Sequence, residues 1–77
     1  MSKIWLTWHD KRGVHTENNG YNLAQALLRA RALNIWLNVK CEVCQTRYYG
    51  VYHINLVLWE IDEYGNEKTY SWFDSAE

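Results

Sequence analysis

Proline is absent from the 77-residue chain, and glycine (four) and cysteine (two) are scarce. Without proline no turn is preset by a locked φ, so the breaks between elements fall to glycine and to Asn and Asp. Gly13, Gly20, Gly50 and Gly65 each sit where a turn is wanted, and no two have the spacing of a phosphate or dinucleotide loop. No run of about 18 apolar residues occurs, which excludes a membrane-spanning helix. The opening Met-Ser-Lys-Ile-Trp-Leu-Thr-Trp-His-Asp lacks the apolar stretch and small-residue cleavage site of a secretory leader, so a cytoplasmic location is expected.

Charge of one sign is also missing: the net charge is −1, with 48% hydrophobic and 22% charged residues, the balance of a globular domain. At this length one core is all that burial can support against chain entropy, so residues 1–77 are expected to form one domain. The charges are nonetheless uneven along the chain. Residues 49–77 carry Lys68 against Glu60, Asp62, Glu63, Glu67, Asp74 and Glu77, whereas the cations Lys3, Lys11, Arg12, Arg29, Arg31, Lys40 and Arg47 precede them.

The usual chemistries find little support. Cys41 and Cys44 have the spacing of half a zinc site, which His9, His15 or His53 could complete, but a zinc knuckle needs a tight turn and Glu42-Val43 favours extended chain. In a strand the two thiols point to opposite faces with Cα atoms about 10 Å apart, too far for a disulfide. No helix begins at Cys41 to activate its thiol, and no Gly-x-Ser-x-Gly elbow exists. Carboxylates such as Asp62 and Glu63 read as surface groups. Neither an enzyme nor a cofactor or metal site is expected.

What is abundant is aromatic: five Trp, six Tyr and one Phe. Ile4, Leu6 and Trp8 alternate with Trp5, Thr7 and His9, which predicts a strand over 3–9. Asp10-Lys11-Arg12-Gly13 is a turn, and 14–17 returns as a short strand before Asn18-Asn19-Gly20 breaks the chain. Asn22 with Gln25 forms a capping-box variant, and the spacing of Leu23, Ala26, Leu27, Ala30 and Leu33 predicts a helix over 22–35, with Gln25, Arg29 and Asn34 on its other side. Leu37, Val39, Cys41 and Val43 begin the next strand. A hairpin near 47–50 leads to a strand over 52–61, and after the turn at 62–66 a last strand runs from Glu67 to Phe73.

The expected architecture is therefore α+β, a single helix packed on one face of an antiparallel four- to five-stranded sheet, in the order ββαβββ. A helix of about 14 residues is about 21 Å long and covers one sheet face only. With Ile4, Leu6, Trp8, Leu37, Val39, Cys41, Val43, Ile54, Leu56 and Leu58 facing the helix, the open face would hold Trp5, Thr7, His9, Lys40, Glu42, His53, Asn55, Val57 and Trp59.

Rings of this kind give large contact area with few rotamers to freeze, which marks interaction surfaces. The expected function is a non-catalytic protein-binding module acting on a larger cytoplasmic partner, with Trp5, Trp59, Tyr70 and Trp72 as anchors. Glu60, Asp62, Glu63 and Glu67 would meet a basic, nucleic-acid-handling surface on that partner. Homodimerisation would use the same chemistry. The alternative is a single-stranded nucleic-acid binder with an aromatic sheet face and a basic zone of Lys11, Arg12, Arg29, Arg31, Lys40 and Arg47, opposed by the acidic final third. In small size and aromatic content the chain is similar to the compact inhibitors of phages and mobile elements, such as anti-CRISPR proteins. That likeness implies occlusion of a partner and carries no particular residue.

Overall fold

The computed structural model describes residues 2–76. Its elements are β1 (Ser2–Asp10), β2 (Gly13–Tyr21), α1 (Leu23–Leu37), β3 (Lys40–Tyr49), β4 (Tyr52–Ile61), β5 (Glu67–Thr69) and a 3-10 helix (Ser71–Ser75). The strands form one sheet in the order β2-β1-β3-β4-β5, each neighbour antiparallel, with α1 crossing from the β2 edge to insert β3 beside β1. This is the predicted ββαβββ arrangement. Among the described residues no helix is long and apolar enough to cross a membrane.

Local chemistry sets the ends of α1. Asn22 Oδ1 accepts from the Gln25 amide at 2.8 Å while Gln25 Oε1 accepts from the Asn22 amide at 3.0 Å, so two otherwise unpaired donors are satisfied. The helix stops at Asn38, whose left-handed φ of 56° lets its N–H return to the Asn34 carbonyl. The β3–β4 turn is the pair Gly50-Val51, where Gly50 supplies the positive φ of 63° that the first position of a type II′ turn demands.

Two bulges reshape the sheet. On β2 the chain does not break at Asn18-Asn19-Gly20; these residues are accommodated between the pairs Ile4 with Tyr21 and Leu6 with Glu17, so the strand runs on to Tyr21. On β4 the register slips between Val43 with Trp59 and Cys44 with Val57, leaving Leu58 as the extra residue. A one-residue slip exchanges faces. Beyond it Trp59 and Ile61 turn toward α1 and Glu60 turns away, the reverse of simple alternation.

The core lies between α1 and the sheet: Ile4, Leu6, Ala26, Ala30, Leu33, Val39, Cys41, Val43, Leu58, Trp59 and Ile61, with Trp8, Leu23, Leu27, Leu56 and Phe73 packed at its margin. Three further expectations are corrected. Leu37 belongs to the last turn of α1 and is exposed, because β3 starts only at Lys40. Asn34 does not face outward; it is buried, and its amide donates to the carbonyls of Val39 at 2.9 Å and Asp62 at 2.8 Å, pinning both connections to the helix. The last strand ends at Thr69, after the Tyr70 amide has bonded to the Leu58 carbonyl, and the chain coils so that Phe73 and Ala76 reach the core.

Candidate functional site

The outer side of α1 is an exposed apolar surface. At 100° per residue Ala24, Leu28, Ala32 and Ile35 fall within an arc of about 80°, with Trp36 beside them. Leu28 is 67% exposed, Ile35 77% and Trp36 72%. A helix apolar on every side belongs in an interior; here only the inner side has one. Sequence reasoning missed these residues, although the signal was present: of the fifteen helical residues, only Gln25, Arg29, Arg31 and Asn34 are polar.

The two helical cations are already committed. Arg29 grips Glu17 in two hydrogen bonds of 3.0 and 2.8 Å, and the Tyr21 hydroxyl donates to the same carboxylate at 2.8 Å. The Arg29 guanidinium is the main reason the Glu17 carboxyl is held below the usual range; burial opposes it, and the Tyr21 bond adds a smaller push in the same direction as Arg29. Arg31 lies 5.2 Å from the centroid of the Trp59 ring and 3.2 Å from Glu67 Oε1, which also accepts from the Trp59 indole at 3.0 Å. Trp59 is thus sealed beneath an ion pair and is not on the open face, the outcome of the β4 bulge.

The open sheet face divides along its length. At one end Glu42 accepts from Thr7 at 3.3 Å and lies 3.1 Å from His9 Nε2, while Glu60 accepts from the Tyr70 hydroxyl and has Lys40 at 4.0 Å. Lys68 sits 4.6 Å above the Tyr70 ring. At the other end Lys3, Trp5, Thr16, Asn18, Thr46, Tyr48, His53 and Asn55 line a shallow depression of about 370 Å³. Trp5 is half-buried there, and its indole donates to Thr46 Oγ1 at 2.9 Å. Beyond the depression the β3–β4 turn exposes Tyr49, Val51 and Tyr52, and among the described residues no strand lies beside the outer edge of β4 ahead of Leu58, since β5 pairs only with Trp59–Ile61.

The remaining expected site residues are scattered. Trp72 is exposed on the 3-10 helix, on the helix side of the sheet, where its carbonyl accepts from Arg47 at 3.3 Å. Asp62 caps its own turn, accepting from the amides of Tyr64 and Asn66, both at 2.9 Å; those backbone bonds, with Asn66 first, hold its carboxyl low. Glu63 is exposed. Lys11 and Arg12 occupy the β1–β2 turn, Lys40 the open face, and Arg29, Arg31 and Arg47 the helix side, so no single basic zone forms. Cys41 and Cys44 are free and buried on opposite faces; desolvation pushes their thiols up to about 11 and about 12. No group of three or more His, Cys, Asp or Glu arranged to hold a metal occurs among the described residues.

Comparison with known proteins yields no match to a family model, to a curated protein or to a solved structure.

Proposed function

We propose that the chain is a non-catalytic protein-binding module that docks on a larger protein through the outer side of α1. The carrying observation is the exposure of Leu28, Ile35 and Trp36 together on one stable helix. Contiguous apolar surface of this kind on a small domain marks a docking site, and an amphipathic helix in a groove is a recurrent mode. The complementary partner is an apolar groove. Arg29 and Arg31, which flank this surface, are each paired with a carboxylate of this chain, Glu17 and Glu67, and the depression beside Leu37 mixes Lys11 with Asp10 and Glu63, so the fit rests on apolar contact and not on charge.

One fact supports the non-catalytic part of this reading, and a second narrows how a partner is met. Both thiols are buried and held protonated, hence poor nucleophiles. Glu60, Asp62 and Glu67 are engaged within the chain, which leaves the acidic stretch little to offer as a charge mimic. An occluding, inhibitor-like action in the cytoplasm belongs to the same proposal.

The test is capture from a native-host extract by immobilised protein, repeated with Leu28→Gln plus Ile35→Gln and with Tyr52→Ser as a control on another surface. Loss of a specific band in the first and its retention in the second are expected. Equal capture by all three overturns the reading. A concentration-dependent dimer of the wild type that the helix variant abolishes would replace the larger partner with a second copy.

A further inference from the structure

We propose that the depression at the β3–β4 end of the open face is a nucleotide-binding site, taking one planar base against Tyr48 and Trp5 and its phosphate at Lys3. It lies across the sheet from α1, so it is independent of the protein-docking reading. It also uses none of the cations expected from sequence to contact nucleic acid.

The ligand class follows from which polar groups are spent. The Trp5 indole donates to Thr46 Oγ1 at 2.9 Å, and the Thr46 hydroxyl donates to Asn55 Oδ1 at 2.7 Å. This relay fixes the tilt of the Trp5 ring and engages Asn55 through its oxygen, so that its amide N–H groups have no side-chain partner among the described residues. Lys3 makes no ion pair among the described residues, and Asn18 makes no side-chain hydrogen bond among them. No carboxylate lines the depression. The free chemistry is therefore hydrogen-bonding and cationic beside aromatic faces.

A neutral sugar could bond to the Thr16 hydroxyl and the Asn18 amide but offers Lys3 no counter-charge. A nucleobase presents ring nitrogens and carbonyl oxygens as acceptors on a flat π face, and its phosphate is anionic, so it fits both features. Tyr48 and His53 are cross-strand neighbours, with ring centroids 6.1 Å apart and planes tilted by 45°, forming one wall. The volume of about 370 Å³ is at the small end of ligand sites and suits a single base.

The chain's net charge of −1 does not oppose this locally. Glu42, the nearest open-face carboxylate along β3, is four residues from Thr46, or about 13 Å. That exceeds the screening length of about 8 Å at physiological salt, and Glu42 is itself held by Thr7 and His9.

The experiment titrates the full chain with adenosine 5′-monophosphate and with fluorescein-labelled eight-nucleotide oligo(dA) and oligo(dT), following Trp fluorescence and label anisotropy at about 50 and about 200 mM salt. Expected are saturable binding and a weakening of about tenfold or more in Tyr48→Ser, whose side chain is exposed and whose loss leaves the fold intact. Lys3→Gln should lower the salt slope by about one. Saturation by the monophosphate itself identifies a free nucleotide as the ligand; binding of the strands alone identifies single-stranded nucleic acid. The proposal fails if neither probe binds at 1 mM, if Tyr48→Ser and Lys3→Gln both bind as wild type does, or if methyl glucoside competes as well as the monophosphate.

Discussion

On its inner side α1 lays Ala26, Ala30 and Leu33 against the sheet, where they are buried; on its outer side Leu28, Ile35 and Trp36, no less apolar, stand in water. Two of the three inner residues, Ala26 and Ala30, are small, and larger side chains, Leu33 from the helix and Leu6, Leu58 and Trp59 from the strands, fill the layer between. The outer residues are large and branched or aromatic, with nothing among the described residues to receive them. Two sides of one helix thus divide the labour: the inner side makes the fold, and the outer side is left over for a partner.

Substitutions sharpen that contrast, beginning where the largest loss is expected. Trp59→Ala removes the biggest ring of the inner layer together with its bond to Glu67 and its packing against Arg31, and should cost about 3 to 5 kcal/mol in urea unfolding. That approaches the whole stability of a domain this size, about 4 to 12 kcal/mol. Lost partner capture in this variant would therefore report unfolding. Asn34→Ala leaves the buried Val39 carbonyl without its amide donor and removes one of two donors from the Asp62 carbonyl, which keeps the Gly65 amide, for a loss of about 2 kcal/mol by the same measurement.

Glu17→Gln loosens the clamp between β2 and α1, with an expected loss of about 1 kcal/mol at pH 7, kept small by the partial exposure of Arg29. Because the folded-state pKa of Glu17 is depressed, its contribution is complete above the unfolded glutamate value of about 4.3 and disappears as pH falls through the lower folded value. The wild type and Glu17→Gln should therefore converge as pH falls below that lowered value; a gap that stays constant with pH would contradict the ion pair. The thiols give a milder check. Both should resist a thiol-specific reagent in the native state at pH 8 and react in denaturant, and rapid native labelling would mean that neither layer is closed over them.

Much of the fold was legible because its signals are local. Asn22 with Gln25 announced the helix start, Asp10 to Gly13 announced the first turn, and alternation announced β1 and β3. The face of Trp59 was not legible, since it depends on one extra residue in β4 that nothing in Val57-Leu58-Trp59 marks beyond apolarity on both faces. Asn34 misled because its polarity suggested solvent, whereas its partners lie in two connections that only the tertiary fold brings to it. The outer helix surface was written in the sequence as a shortage of polar residues between Leu23 and Leu37. One apolar stripe is enough to account for a packed helix, so the second carries no signal of its own in the periodicity. Trp5 and the hairpin tyrosines stand out by composition alone; their assembly with Lys3 and Asn55 required the strand order.

The docking claim is tested most directly by thermal unfolding of the isolated protein and of its complex with the captured partner, for wild type and for Leu28→Gln plus Ile35→Gln. Glutamine is a good helix former and both sites are in water, so the variant alone should unfold within about 0.5 kcal/mol of wild type. Wild type should gain stability on adding partner in excess, by about 2.7 kcal/mol at a hundredfold over Kd, and the variant should gain none. Equal stabilisation of the two proteins, or a variant already unstable in isolation, would contradict an outer helix side reserved for another protein.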